Sequence, residues 1–240
     1  GHVNLEYFAQ RMLSQTIEAF RLMTRFLMRA TFGDVPNPRQ RKVLDENRRI
    51  GVGFMGFHSW LMLHGIKYSD AATNEFVKGR LIAFKAAVDA EKESYAIVLG
   101  IPVPCKGTTL APNGTGALMP GVPASMQAMF AGWGIRRVRM SDTDTELSRK
   151  KSEGYPSYPD PGAKNTQIVD YWYEDPLVAK LRVAGLDADA LIEGQDEIPF
   201  DASLALQELV QTHYADNAIS FTINVPNSKR PNLRDMKEKF

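Results

Sequence analysis

Apolar residues at Phe8, Met12, Leu13, Ile17, Phe20, Leu22, Met23, Phe26 and Leu27 recur at intervals of three and four. That period predicts a long amphipathic helix over about 7 to 30, with a broad core-facing side. GDVPNPR then interrupts the pattern, and Asn37 is placed to cap a short helix from Pro38 to about Asn47. RRIGVGFMG reads as a short apolar strand loosened by glycines, leading into a helix at 57 to 64. Ser69 or Asp70 can cap a second long helix that runs to about Leu99 and closes on Gly100 and Pro102.

Past that point the texture changes. Residues 107 to 111 read as a strand, GIRRVRM at 134 to 140 as an alternating strand with arginines on one face, and TQIVDYWY as a third. SEGYPSYPDPGAKN is a loop rich in Pro, Gly and Tyr. The amphipathic helix SLALQELVQTHYA precedes NAISFTINV, the strongest strand pattern in the sequence. Strands alternating with helices of this length predict an α/β fold with parallel strands.

Composition narrows this reading. The chain has 240 residues and 44% hydrophobic content, enough for a substantial core. Its 29 basic and 28 acidic residues leave a net charge of +1, which excludes a global field drawing it onto nucleic acid or an anionic membrane. No apolar run is long enough to span a bilayer. A single cysteine, Cys105, excludes an internal disulfide framework and a cysteine-rich zinc site, which fits a reducing cytoplasm. The opening at Gly1 and the charged ending RDMKEKF, soon after a strong strand, read as part of a longer polypeptide.

TTLAPNGTGALMPGV carries the most pointed chemistry. A strand that ends at Ala111 and breaks into Pro112, Asn113, Gly114, Thr115 and Gly116 offers several unencumbered backbone N–H groups and one hydroxyl. Such groups can converge on an anion, especially where a helix begins; the plain alternative is an ordinary Asn-Gly turn. It is not a Walker loop, lacking the Gly-Lys-Ser/Thr ending. Arg48 and Arg49 beside Gly51 and Gly53 could sit near an anion, or simply flank a buried strand as solvated charges. Arg136, Arg137 and Arg139 read first as a solvated strand face.

The four histidines, His2, His58, His64 and His213, form no metal pattern, and Cys105 reads as a lone buried thiol. Asp216 and Asn217 fall at a helix-to-strand junction, where Asn tolerates a left-handed cap and Asp can bond nearby backbone.

The ordered set ENRRIGVGFMG, TTLAPNGTGALMPGV, IRRVRMSDTD, GYPSYPDPGAKNTQIVDYWYEDPLV and HYADNAISFTINV resembles the later half of the catalytic barrel of ribonucleotide reductase large chains. The similarity is nearest to the adenosylcobalamin-dependent class and covers about 4 to 225. It implies half of a ten-stranded α/β barrel, with residues 1–240 forming a partial catalytic domain that is completed by an upstream segment. It further implies that Pro112, Asn113, Gly114, Thr115 and Gly116 hold the substrate's phosphates, and that Met119, Gly121 and Val122 lie toward the coenzyme.

Adenosylcobalamin as cofactor, a ribonucleotide substrate, a complementary N-terminal half and a thioredoxin-like reductant follow from the same resemblance. The family's Asn-x-Cys-x-Glu finger motif has no counterpart in this sequence, so the radical cysteine and its glutamate are expected upstream, and the isolated chain is expected to be inactive. Where many relatives continue with a Ser-Gly-x-His-like stretch, this chain has PASMQAM. Two other readings keep part of the picture: a fragment of a diiron-dependent large chain, or a non-catalytic nucleotide-binding remnant.

Overall fold

The computed structural model describes residues 1–224. Its centre is a parallel ladder. β1 (His2–Asn4) pairs with β2 (Gly53–Met55), placing His2 opposite Gly53 and Asn4 opposite Met55. The chain around β2 then hydrogen-bonds to 106–109: Ile50 N–H donates to Lys106 O at 3.1 Å, Val52 N–H to Gly107 O at 2.9 Å, and Thr109 N–H to Val52 O at 3.0 Å. On the far side Asn217 N–H donates to Thr108 O at 3.2 Å and Ser220 N–H to Leu110 O at 2.9 Å. Four chain segments therefore run side by side in one direction, in the order β1, β2, 107–111 and 217–220.

Helices cover one face of this ladder. Val3, Phe54 and Leu110 are buried toward them, and Phe54 meets Tyr214 edge-on at 5.0 Å between ring centroids. The predicted helix over 7 to 30 is two helices, α1 (Leu5–Phe8) and α2 (Leu13–Ala30). Met12 breaks it by adopting extended backbone (φ −61°, ψ 141°) with its side chain exposed, so the spacing from Phe8 to Met12 was not a helical one. α3 (Pro38–Asn47) is capped as expected, Asn37 Oδ1 accepting from Arg39 and Gln40 N–H.

α4 (Phe57–Leu63) follows β2, and α5 (Glu75–Leu99) ends on a left-handed Gly100. The cap of α5 is Asn74, whose side chain accepts from Phe76 and Val77 N–H, and not Ser69 or Asp70. Ser69 is otherwise engaged, donating through N–H and hydroxyl to Glu193 at 2.8 and 2.7 Å. Phe20 of α2 stacks on Phe84 of α5 at 4.6 Å, tying the two long helices together.

α6 (Gly114–Leu118) follows the glycine motif. Beyond it, β3 (Trp133–Ser141), α7 (Thr145–Ser152), β4 (Ser157–Pro159) and β5 (Thr166–Glu174) correct the expectation of parallel strands in this region. They form an antiparallel sheet in the order β3, β5, β4, with Ile135 opposite Trp172 and Arg137 opposite Asp170. α7 buries only Leu147, too small an apolar face for a crossover helix packed on a parallel sheet. α8 (Pro176–Val183), α9 (Ala188–Leu191) and α10 (Phe200–His213) complete the described chain. NAISFTINV joins the parallel ladder through the hydrogen bonds of 217 and 220 without forming a regular strand, and its last residue, Val225, lies outside the described residues.

Candidate functional site

Alternation along the ladder fixes what its open face carries. With Val3, Phe54, Thr108 and Leu110 turned to the helices, His2, Asn4, Gly53, Met55, Thr109 and Ala111 lie on the other face. Strand spacing is tight there. A Cβ on Gly53 would fall 2.6 Å from Thr109 O and 3.1 Å from His2 Cδ2, so the backbones approach as closely as they do only because residue 53 is glycine.

The glycine motif emerges at the carboxyl end of the 107–111 segment, where ligands of parallel α/β sheets bind. Asn113 takes the left-handed conformation (φ 51°, ψ 27°) and turns the chain straight into α6. Its carbonyl accepts from Ala117 N–H at 3.1 Å, so Gly114, Thr115 and Gly116 supply the first-turn N–H groups, which a helix leaves without an intrahelical partner. Pro112, Gly114, Thr115 and Gly116 are exposed and Asn113 is half-buried. The five residues singled out in the sequence thus form one accessible turn.

Of the residues the resemblance assigns to the coenzyme side, Met119 is 93% exposed. Gly121 (φ 66°) and Val122 close α6, their N–H groups donating to Leu118 O at 3.2 Å and Ala117 O at 3.1 Å, and the Val122 side chain is buried. Only Met119 of the three presents a free apolar side chain.

The RRIGVG arginines divide. Arg49 is exposed, whereas Arg48 is buried in the left-handed conformation, pairs with Asp45 and donates to Thr31 O and Oγ1 at 3.2 and 2.9 Å. Arg48 is thus neither a solvated flank nor free to hold a ligand. Arg136, Arg137 and Arg139 are exposed along β3; Arg137 faces Asp170 at 3.5 Å and Arg139 pairs with Asp160. Cys105 is exposed, against the expectation of a buried thiol, because it lies in the loop before the ladder and not within it.

His58 is fully buried; its Nδ1 accepts from Met129 N–H at 2.7 Å and its ring meets Tyr68 edge-on at 4.8 Å. Burial pushes its pKa down to about 3, so the imidazole stays neutral. Tyr68 in turn donates to Met126 O at 2.5 Å, so both side chains hold the chain beyond the motif.

Asp216 bonds nearby backbone as expected: its Oδ2 accepts from Gly107 N–H at 2.9 Å and Thr108 N–H at 3.3 Å. Lys85 pairs with Oδ1, and Lys106 donates to the Asp216 carbonyl at 3.0 Å. Burial pushes the Asp216 pKa up, but the Lys85 and backbone hydrogen bonds outweigh it and hold the pKa at about 2. Asn217 does not take the left-handed cap; its side chain donates instead to Thr108 O at 2.9 Å. The sequence carried no signal for Lys85, Lys106 or Met55, whose partners lie far away along the chain.

This geometry has a known counterpart. Residues 1–92 match the family model described as ribonucleotide reductase, barrel domain, and the fold is part of that α/β barrel, left open over the described residues. Among solved structures, the chain superposes on a B-12 dependent (class II) ribonucleotide reductase with TM-score 0.75 and 25% identity, covering 96% of this chain and 32% of that one. A class Id reductase alpha subunit of Actinobacillus ureae shares the fold at TM-score 0.59 and 13% identity, covering 89% of this chain and 41% of that one.

Among sequences, the chain is 42% identical over 236 residues to a protein of Mycobacterium phage D29 assigned as an adenosylcobalamin-dependent ribonucleoside-triphosphate reductase, covering 94% of this chain and 34% of the relative. It is 29% identical over 252 residues to the adenosylcobalamin-dependent ribonucleoside-triphosphate reductase of Lactobacillus acidophilus, covering 98% and 32%. The resemblance read from the motifs therefore holds across almost the whole chain, which spans about a third of the length of the relatives it matches. No helix among the described residues is long and apolar enough to cross a membrane.

Proposed function

We propose that this chain is the substrate-phosphate segment of an adenosylcobalamin-dependent ribonucleotide reductase, a cytoplasmic enzyme that converts ribonucleotides to 2′-deoxyribonucleotides. One observation carries the reading: a chain similar nearly end to end to such reductases turns its glycine motif out at the carboxyl end of a strand of its own parallel ladder. In it Gly114, Thr115 and Gly116 supply N–H groups and a hydroxyl to the phosphates, and Pro112 and Asn113 shape the turn that presents them.

The fit to the coenzyme rests on Met119, whose exposed thioether beside exposed Leu118 suits the apolar edge of a large macrocycle; Gly121 and Val122 serve by closing α6 behind it. When bound, adenosylcobalamin supplies the radical chemistry. The thiol that acts on the ribose, with its carboxylate, belongs on this reading to a complementary N-terminal half, and a thioredoxin-like dithiol restores the reduced enzyme.

The test is nucleotide affinity of the full-length protein, measured by isothermal titration. Substitution of Asn113, Gly114 and Thr115 is expected to weaken ribonucleotide binding at least tenfold, taking about 1.4 kcal/mol or more from the loop's contacts. Unchanged affinity would refute the site assignment.

A further inference from the structure

Two residues of one strand end grip the glycine motif on either side. Met55 Sδ accepts a hydrogen bond from Asn113 Nδ2 at 3.2 Å, and Gly56 N–H donates to Pro123 O at 2.8 Å, just past the residue that closes α6. The first contact settles which way the Asn113 amide faces. Sulfur can only accept, so Nδ2 points at Met55 and Oδ1 is turned back over Gly116, where an added Cβ would lie 2.2 Å from it. The Asn113 amide is thereby engaged against β2, while Oδ1 lies over the first turn of α6 without capping it.

We infer that Met55 is a positioning residue for the substrate loop: it holds Asn113 as a brace that fixes the turn, leaving contact with the ligand to Gly114, Thr115 and Gly116. The inference rests on the phosphate-site reading above and assigns its parts differently. The Nδ2 of Asn113, which the residue type alone would nominate as an anion donor, is taken by Met55, and the left-handed backbone at 113 is what the ligand depends on. A turn held at residues 113 and 123 is preorganised, so binding need not order it first.

The experiment uses the full-length protein and two probes, ribonucleoside triphosphates and the corresponding diphosphates, with binding and steady-state reduction both measured. Met55→Leu keeps volume and apolar character while removing the acceptor. It is expected to raise Kd and KM about three- to tenfold, in line with the loss of one weak hydrogen bond, with kcat within about twofold. Asn113→Gly retains access to the left-handed conformation without the side chain, and in that background Met55→Leu is expected to add nothing.

Unchanged Kd in Met55→Leu, or a full Met55→Leu effect in the Asn113→Gly background, overturns the inference. If Thr115→Ala weakens binding while Met55→Leu does not, the positioning role alone falls. If neither variant changes affinity, the phosphate site falls with it.

Discussion

Asp216→Ala removes the contact that fastens the 217–220 ladder segment to the one that leads into the glycine motif. The carboxylate accepts two backbone N–H bonds, from Gly107 and Thr108, and pairs with Lys85, while the main chain of Asp216 donates to Thr108 Oγ1 at 3.0 Å. A hydrogen bond to a charged group contributes about 1.5–3 kcal/mol, and the ion pair adds less because both side chains are partly solvated. Lys85 keeps Asp89 at 3.4 Å, so it is not stranded, whereas Gly107 is buried and its N–H loses its acceptor.

The expected local cost is about 2 kcal/mol, which corresponds to roughly thirtyfold faster exchange of the Gly107 and Thr108 amides. Hydrogen exchange read by mass spectrometry on peptides spanning 106–112 of the full-length protein measures this directly. Exchange within about threefold of the wild type would refute the argument that Asp216 fastens these two segments together.

The same carboxylate has a pH consequence. Its pKa is held at about 2, below the ordinary 3.8, so its contribution is fully present above pH 3.8 and is lost as pH falls toward 2; protection of 106–112 should drop over that window in the wild type and not in Asp216→Asn. His58 acts over a different range. With its pKa pushed by burial to about 3 from 6.5, the unfolded chain binds the extra proton between those values, so stability should fall by about 1.4 kcal/mol per pH unit below 6.5. His58→Gln should flatten that slope in denaturation curves recorded from pH 7 to pH 4. Gly116→Ala places a methyl 2.2 Å from Asn113 Oδ1 and displaces the brace, so nucleotide Kd should rise about tenfold, read by titration, with far-ultraviolet circular dichroism unchanged.

Much of the fold was legible because local physics wrote it. Asn37 caps α3 through its own side chain with Pro38 at the first helical position, and α5 runs to Gly100 as its pattern required. The parts that failed depend on distant partners. A single-sequence period cannot say that Ser69 will be taken by Glu193, 124 residues away, leaving the cap to Asn74. Nor can alternation in GIRRVRM and TQIVDYWY say that the two strands pair antiparallel with each other, since the period of two is the same in either direction.

The candidate site divides in the same way. The turn at Asn113 and the helix start at Gly114 could be read from residue type, because Asn tolerates the left-handed conformation and glycine leaves backbone exposed. The brace from Met55 could not be, since 58 residues separate it from Asn113 and nothing in GFMG marks a sulfur acceptor. Arg48 is a further case: residue type offered an anion contact or a solvated flank, but Asp45 and Thr31 occupy the buried guanidinium and it is neither.

The most direct test of the function is reduction by the full-length protein, supplied with a ribonucleotide, a dithiol and adenosylcobalamin, and with no metal-bearing subunit. The account predicts 2′-deoxyribonucleotide formed only when the coenzyme is present. No product under those conditions, or product that requires a diiron subunit instead, would contradict it.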